Sequence, residues 1–208
     1  MKCFVLALGL LLVPAGARAG NPSYGGIDRT RSLYFPADQI ALDAAQCVAV
    51  AAAIINTGPK VPLITCADNA AGILYGHAKL PDQWDSGPLG FTAEVYTDAA
   101  DPAGVVAFDC SCEVRGTGDT LNATWGTAVA ADVDLAPAAI TTNDQASGSS
   151  AAATCNGAST ATGARQLFWR CVIDAATTTA TPMSATAASS DYFPSGVTVE
   201  YGITGAGD

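Results

Sequence analysis

Few side chains in this sequence are equipped to make or break bonds. Of the 19 acidic residues only three are glutamates: Glu94, Glu113 and Glu200. Each falls on the outward parity of a segment that reads as a strand. Two carboxylates can hydrolyse a glycosidic bond when they stand about 5–9 Å apart across the scissile linkage. Neighbouring strands of a concave sheet can hold such a pair, but any half-exposed strand looks the same. The only histidine, His77, lies inside a strand-like run. No Gly-x-Ser-x-Gly elbow accompanies it, so a serine triad has neither its base nor its nucleophile turn. The sequence therefore nominates no catalytic residue, and the chain reads as a non-enzyme.

Sugar binding asks less of a sequence. It needs aromatic rings that stack on pyranose faces, with polar neighbours. Trp84, Trp125 and Phe168 are the candidate glycan-contact residues, with Tyr75, Tyr96 and Tyr192 as further aromatics. Phe168 has the opposite parity to Trp169 and so points away from its neighbour's face. Trp84 sits in a turn, Pro81-Asp82-Gln83-Trp84-Asp85-Ser86-Gly87, where plugging the end of a fold is the plainer role.

Metal chemistry has weaker support. Calcium requires closely spaced oxygen ligands. Asp98, Asp101, Asp119, Asp132 and Asp134 fall near strand ends, but none builds an Asp-x-Asp-x-Asp-Gly loop. One Cys-x-Cys and one histidine do not make a zinc site. No metal-ligating or cofactor-binding residue is assigned, and a structural calcium ion is the only cofactor the composition invites.

The opening residues bear on where any of this happens. Lys2, the apolar run Phe4–Val13, the breakers Pro14 and Gly16, and Ala17-Arg18-Ala19 make residues 1–19 a signal peptide. The apolar run is about half of the roughly 20 residues a bilayer span needs. Removing 19 of the 208 residues leaves 189, with 7 basic residues against 19 acidic ones and a formal charge of −12. Such a polyanion is a poor partner for nucleic acid, and no membrane insertion is expected after cleavage. Six cysteines remain: Cys47, Cys66, Cys110, Cys112, Cys155 and Cys171. An even set in an exported chain reads as disulfides, with fifteen pairings open. Cys110 and Cys112 share one strand face, so each is placed to reach a different partner rather than the other.

The elements that position these residues are strands. Val61–Cys66 and Ile73–Leu80 are short apolar runs, while Leu89–Tyr96, Val105–Arg115, Gln166–Asp174 and Val197–Ile203 alternate apolar and polar residues. Gly126–Leu135 is a weaker strand, and Ala44–Ile55 reads as helix or strand. About eight strands without intervening helices predict an all-β fold: a two-sheet antiparallel sandwich, jelly-roll-like, stapled by disulfides. Ala136–Gly163 and Ala175–Ser190 read as long loops, with an edge strand as an option over Ala175–Ala187. The domain plan is a signal peptide (1–19), a mobile N-terminal arm (20–32) and a β-sandwich domain (33–208).

Several short stretches carry a resemblance. They are Tyr75-Gly76-His77, Leu80–Gly87, Phe91, Tyr96, Cys112, Arg115-Gly116, Thr124-Trp125-Gly126-Thr127, Thr154-Cys155-Asn156-Gly157 and Leu167-Phe168-Trp169-Arg170. Together they resemble uncharacterised β-sandwich, structural or fibre-associated proteins of marine tailed phages and environmental viral sequences, over roughly residues 33–203. The resemblance implies an oligomeric structural β-domain with no catalytic residues to carry over. The signal peptide departs from that pattern and implies a related fold used outside a cell. The expected function is an exported, self-associating subunit of an extracellular fibre, filament or surface layer, with copies of itself as partners. The alternatives are a carbohydrate-binding module facing surface glycans and, second, a glycosidase-like enzyme.

Overall fold

The computed structural model describes residues 29–43, 47–53, 61–66, 71–97, 104–120, 124–135, 145–158, 161, 163–174, 178–179 and 192–203. The expected signal peptide (1–19) and most of the expected N-terminal arm (20–32) lie outside these residues.

The chain enters along β1 (Arg29–Pro36), makes one 3-10 turn (Ala37–Gln39), and continues through β2 (Ala41–Leu42), β3 (Cys47–Ala53) and β4 (Val61–Cys66). Next come β5 (Ile73–Lys79), the long β6 (Trp84–Thr97), β7 (Val105–Val106) and β8 (Phe108–Arg115). The last five are β9 (Val129–Ala130), β10 (Val133–Asp134), β11 (Gln145–Ser149), β12 (Gln166–Ile173) and β13 (Tyr192–Ile203). A four-stranded sheet has the order β1-β13-β6-β11, and a five-stranded sheet the order β2-β5-β12-β8-β9. Two ribbons, β3-β4 and β7-β10, complete the described strands. Every strand-to-strand ladder among them is antiparallel.

Alternation explains the sandwich. Along β6, Leu89, Phe91, Ala93 and Val95 are buried while Thr92, Glu94 and Tyr96 are half-buried. Along β12, Leu167, Trp169, Cys171 and Ile173 point inward. The two inner faces meet where the Phe35 ring of β1 stands edge-on to Trp169 of β12, 5.1 Å between centroids. Burying each such side chain contributes about 1.5–3 kcal/mol. Gly76, opposite Trp169 on β5, is small for a reason: a Cβ there would lie 2.2 Å from the indole.

Three disulfides staple this frame: Cys47–Cys66, Cys110–Cys171 and Cys112–Cys155. Cys110 and Cys112 do reach different partners. The first bridge closes the β3-β4 ribbon and the second joins facing residues of β8 and β12. The third joins the sheets indirectly. Ala153 exchanges two backbone hydrogen bonds with Leu89 of β6, and two residues later Cys155 is bonded to Cys112 of β8.

Some expectations are corrected. Residues 47–53 of the helix-or-strand segment form strand β3, because Cys47 to Val50 pair residue by residue with Cys66 to Leu63. The arm does not run to Ser32: Arg29–Ser32 belong to β1, paired with Ile203 to Glu200. The loop 136–163 contains β11, whose small residues fit against β6. The weak strand 126–135 is two two-residue strands. Of the segment 175–190 only Thr178 and Thr179 are described. Their hydroxyls accept hydrogen bonds from the Ala107 and Val105 amides.

Candidate functional site

The outer face of the five-stranded sheet gathers the aromatic candidates. Strand pairing sets its side chains in cross-strand rows. Tyr75, Arg170 and Ser111 form one row, and His77, Phe168 and Glu113 the next. Lys79, Gln166 and Arg115 form a third row at the sheet end. His77 stacks on Phe168 with ring centroids 6.1 Å apart. Tyr75 lies 6.3 Å from Trp125, tilted by 41°. Tyr75, Trp125 and Phe168 are all half-buried, and His77 is exposed.

Trp125 is not on a strand, yet it is held firmly. The Asn156 side-chain amide donates to the Thr124 carbonyl at 2.7 Å, and Gly126 N donates to the Cys112 carbonyl at 2.9 Å. Asn156 N donates to that same carbonyl at 3.1 Å. Gly126 permits the close approach, since a Cβ there would sit 2.2 Å from the Thr154 carbonyl oxygen. Over the ring lies the Arg170 guanidinium, 4.9 Å from the centroid, whose Nε also donates to Ser111 Oγ. Thus Cys112, Thr124–Gly126 and Thr154–Asn156, distant in sequence, are one local structure.

Other candidates lie elsewhere. Trp84 is only 3 % exposed and is covered by the Arg165 guanidinium, 4.8 Å from its ring, which corrects its nomination as a sugar contact. Arg165 also donates to the carbonyls of Asp82 and Trp84 and to Ser86 Oγ, closing this end of the sandwich. Tyr96 sits on the outer face of the other sheet, and Tyr192 belongs to β13.

The glutamates do not form a hydrolytic pair. Glu113 faces outward as expected but is 4 % exposed, because Phe168 and the ion-paired Arg115 cover it. Glu94 and Glu200 share the outer face of the four-stranded sheet. Glu94 is opposite Gly196 and Glu200 opposite Gly90, so they are offset by four residues, about 13 Å. Glu94 accepts from the Gln145 amide at 2.8 Å and the Thr198 hydroxyl at 3.3 Å. It also accepts from the Tyr34 hydroxyl. Burial and then the Glu94 charge raise the Tyr34 hydroxyl above its ordinary range.

Among the described residues no three acidic, histidine or cysteine side chains gather as a metal site. Asp119 accepts from Gly116 N within its own turn, Asp134 is in β10, and Asp98 and Asp101 lie outside the described residues.

Two hollows flank the sheet end. One of about 510 Å³ is lined by Lys79, Asp82, Ala161, Gly163, Ala164 and Arg165. The other, about 260 Å³, is lined by Lys79, Arg115, Gly116, Thr117, Ala164 and Gln166. Sequence reading named none of Lys79, Gln166 and Arg170 as a binding candidate. The parity of Gln166, Phe168 and Arg170 was visible, but not the strands that would lie beside them.

No protein family and no curated protein matches the chain. Two solved structures show a distant likeness. One is the CBM36-1 domain of a multidomain xylanase from the hindgut metagenome of Trinervitermes trinervoides (TM-score 0.37, 8 % identity, covering 86 % of this chain and 100 % of that one). The other is a family 35 carbohydrate-binding module from Clostridium thermocellum (TM-score 0.37, 11 % identity, 81 % and 97 %).

Proposed function

We propose that this protein is an exported, non-catalytic glycan-binding module, and that its combining face is the outer surface of the five-stranded sheet. The observation that carries this reading is the set of half-buried rings of Tyr75, Trp125 and Phe168 beside exposed His77, held by a rigid sheet and a clamped segment. Such rings present flat apolar surface to the axial C–H face of a sugar, and half-buried Arg170 and exposed Gln166 supply polar neighbours. Preorganisation lowers the ordering cost of binding. The non-catalytic part rests on the carboxylates: Glu94 and Glu200 are too far apart, and Glu113 is buried in an ion pair. Three disulfides support an oxidising, extracellular setting.

A glycan array followed by calorimetry tests the reading. Trp125→Ala and Phe168→Ala should each weaken a detected ligand about tenfold, equivalent to about 1.4 kcal/mol. Full affinity in both variants, or silence of the wild-type protein across the array, would refute the face.

A second reading is the self-associating fibre or surface-layer subunit. One observation favours it: β1 is an eight-residue edge strand with a free hydrogen-bonding side among the described strands. Such an edge can accept a neighbour's strand. Light scattering and electron microscopy at high concentration decide it, and a persistent monomer without filaments removes it.

A further inference from the structure

We infer that the preferred ligand is an acidic polysaccharide, whose anionic substituent seats in the notch between Lys79 and Arg115 while its rings lie along the aromatic face. This rests on the glycan-binding reading above and names the chemical class of its ligand.

The chain is strongly acidic, yet its cations are not spread evenly. Of the nine Lys and Arg residues, Lys79, Arg115, Arg165 and Arg170 stand on this one sheet or at its end, with the single histidine between them. Most are committed. Arg165 caps Trp84, Arg170 covers Trp125, and Arg115 is paired with Glu113. Lys79 differs: it is exposed and has no ion pair among the described residues. Nearby acids are engaged or set aside. Glu113 is held by Arg115 and Asp119 accepts from Gly116 N, while Asp82 is not a lining residue of the smaller notch but lines the larger hollow on the other side of Lys79, which Lys79 and Arg165 also border.

The about 260 Å³ notch therefore offers one ammonium, the Gln166 amide and the Thr117 hydroxyl, with the Arg115 guanidinium at its wall. This donor set suits a monoanionic oxyanion, either a uronate carboxylate or a sulfate ester. Its position suits a chain. Gln166 and Phe168 face the same way on β12, about 7 Å apart, so a sugar whose charge enters the notch places its ring beside Phe168 and His77. Later rings run toward Tyr75 and Trp125.

The test uses the full mature chain and three probes: oligogalacturonate, a sulfated galactan oligosaccharide and a neutral galactan oligosaccharide, each titrated by calorimetry. One or both acidic probes should bind about tenfold more tightly than the neutral one, and the pair distinguishes carboxylate from sulfate. Lys79→Gln should lose that preference and Lys79→Arg should keep it, with melting temperatures unchanged because the side chain is exposed. Equal or tighter binding of the neutral probe, or indifference of the acidic probes to Lys79→Gln, overturns the acidic assignment while a Trp125→Ala loss leaves the aromatic face standing. Binding of none of the three, combined with an array silent to all glycans, overturns both.

Discussion

The guanidinium of Arg170 lies 4.9 Å from the centre of the Trp125 ring, with its Nε donating to Ser111 Oγ at 3.1 Å. A strand residue thus fixes an aromatic side chain from a non-strand segment, using one contact above the ring and one to the sheet.

Arg170→Ala should free that ring. Trp84 and Trp169 are buried, so accessible tryptophan fluorescence belongs to Trp125. Acrylamide quenching should rise, glycan affinity should fall, and stability should drop by about 1–2 kcal/mol from the lost cation–π contact and hydrogen bond. Unchanged quenching would show that the other contacts hold the ring alone.

Gly126→Ala should be costlier than its size suggests. The added methyl meets a backbone carbonyl, which cannot rotate aside. Overpacking of this kind costs about 1–3 kcal/mol. Chemical denaturation gives the loss, and Gly118→Ala is the space control: nothing lies near its Cβ, so only the cost of its left-handed φ of 88° remains.

Replacing Cys112 and Cys155 together by serine should destabilise the domain by about 2–5 kcal/mol. It should also weaken glycan binding, since Asn156 follows Cys155 and holds the Thr124 carbonyl. Cys47 and Cys66 close the separate β3-β4 ribbon, so their double replacement should lower stability and spare affinity. Equal binding losses in the two pairs would break the link drawn between the third disulfide and Trp125.

Tyr34 gives a pH prediction. Its hydroxyl is raised above about 10 by partial burial first and the Glu94 carboxylate second. The folded state therefore holds the phenolic proton more tightly than the unfolded chain. Its contribution is fully present below pH about 10 and is lost as pH climbs through the raised value. Ultraviolet titration should show Tyr34 ionising late, and Glu94→Gln should bring it partway back, leaving the burial effect. Tyr34 is 51 % exposed, so the accompanying stability change should be small.

Much of the frame was legible in the sequence because alternation depends only on parity. β8 and β12 could be read residue by residue, including the buried cysteines and the outward Phe168. β11 could not, because Gln145–Ser149 has almost no apolar payload and owes its place to β6. β1 was missed altogether, since Arg29–Ser32 is polar and the whole of Arg29–Pro36 becomes strand only through β13. The site divides the same way. Trp125, Phe168 and Tyr75 were nominated by type, but their grouping depends on which strands are neighbours, and that information is not local. Trp84 failed for a related reason: the arginine that covers it lies 81 residues further along the chain.

The first and last described strands are partners, with Arg29 opposite Ile203. The chain thus enters and leaves the sandwich at one corner. A mechanical load applied across those two points would not shear the β1-β13 ladder as a block. It would open the hydrogen bonds singly, as a zipper, from that corner inward. The same domain anchored through one end alone would not be pulled apart between Arg29 and Ile203, and could hold its cargo under flow as a pendant rather than as a link in a taut strand.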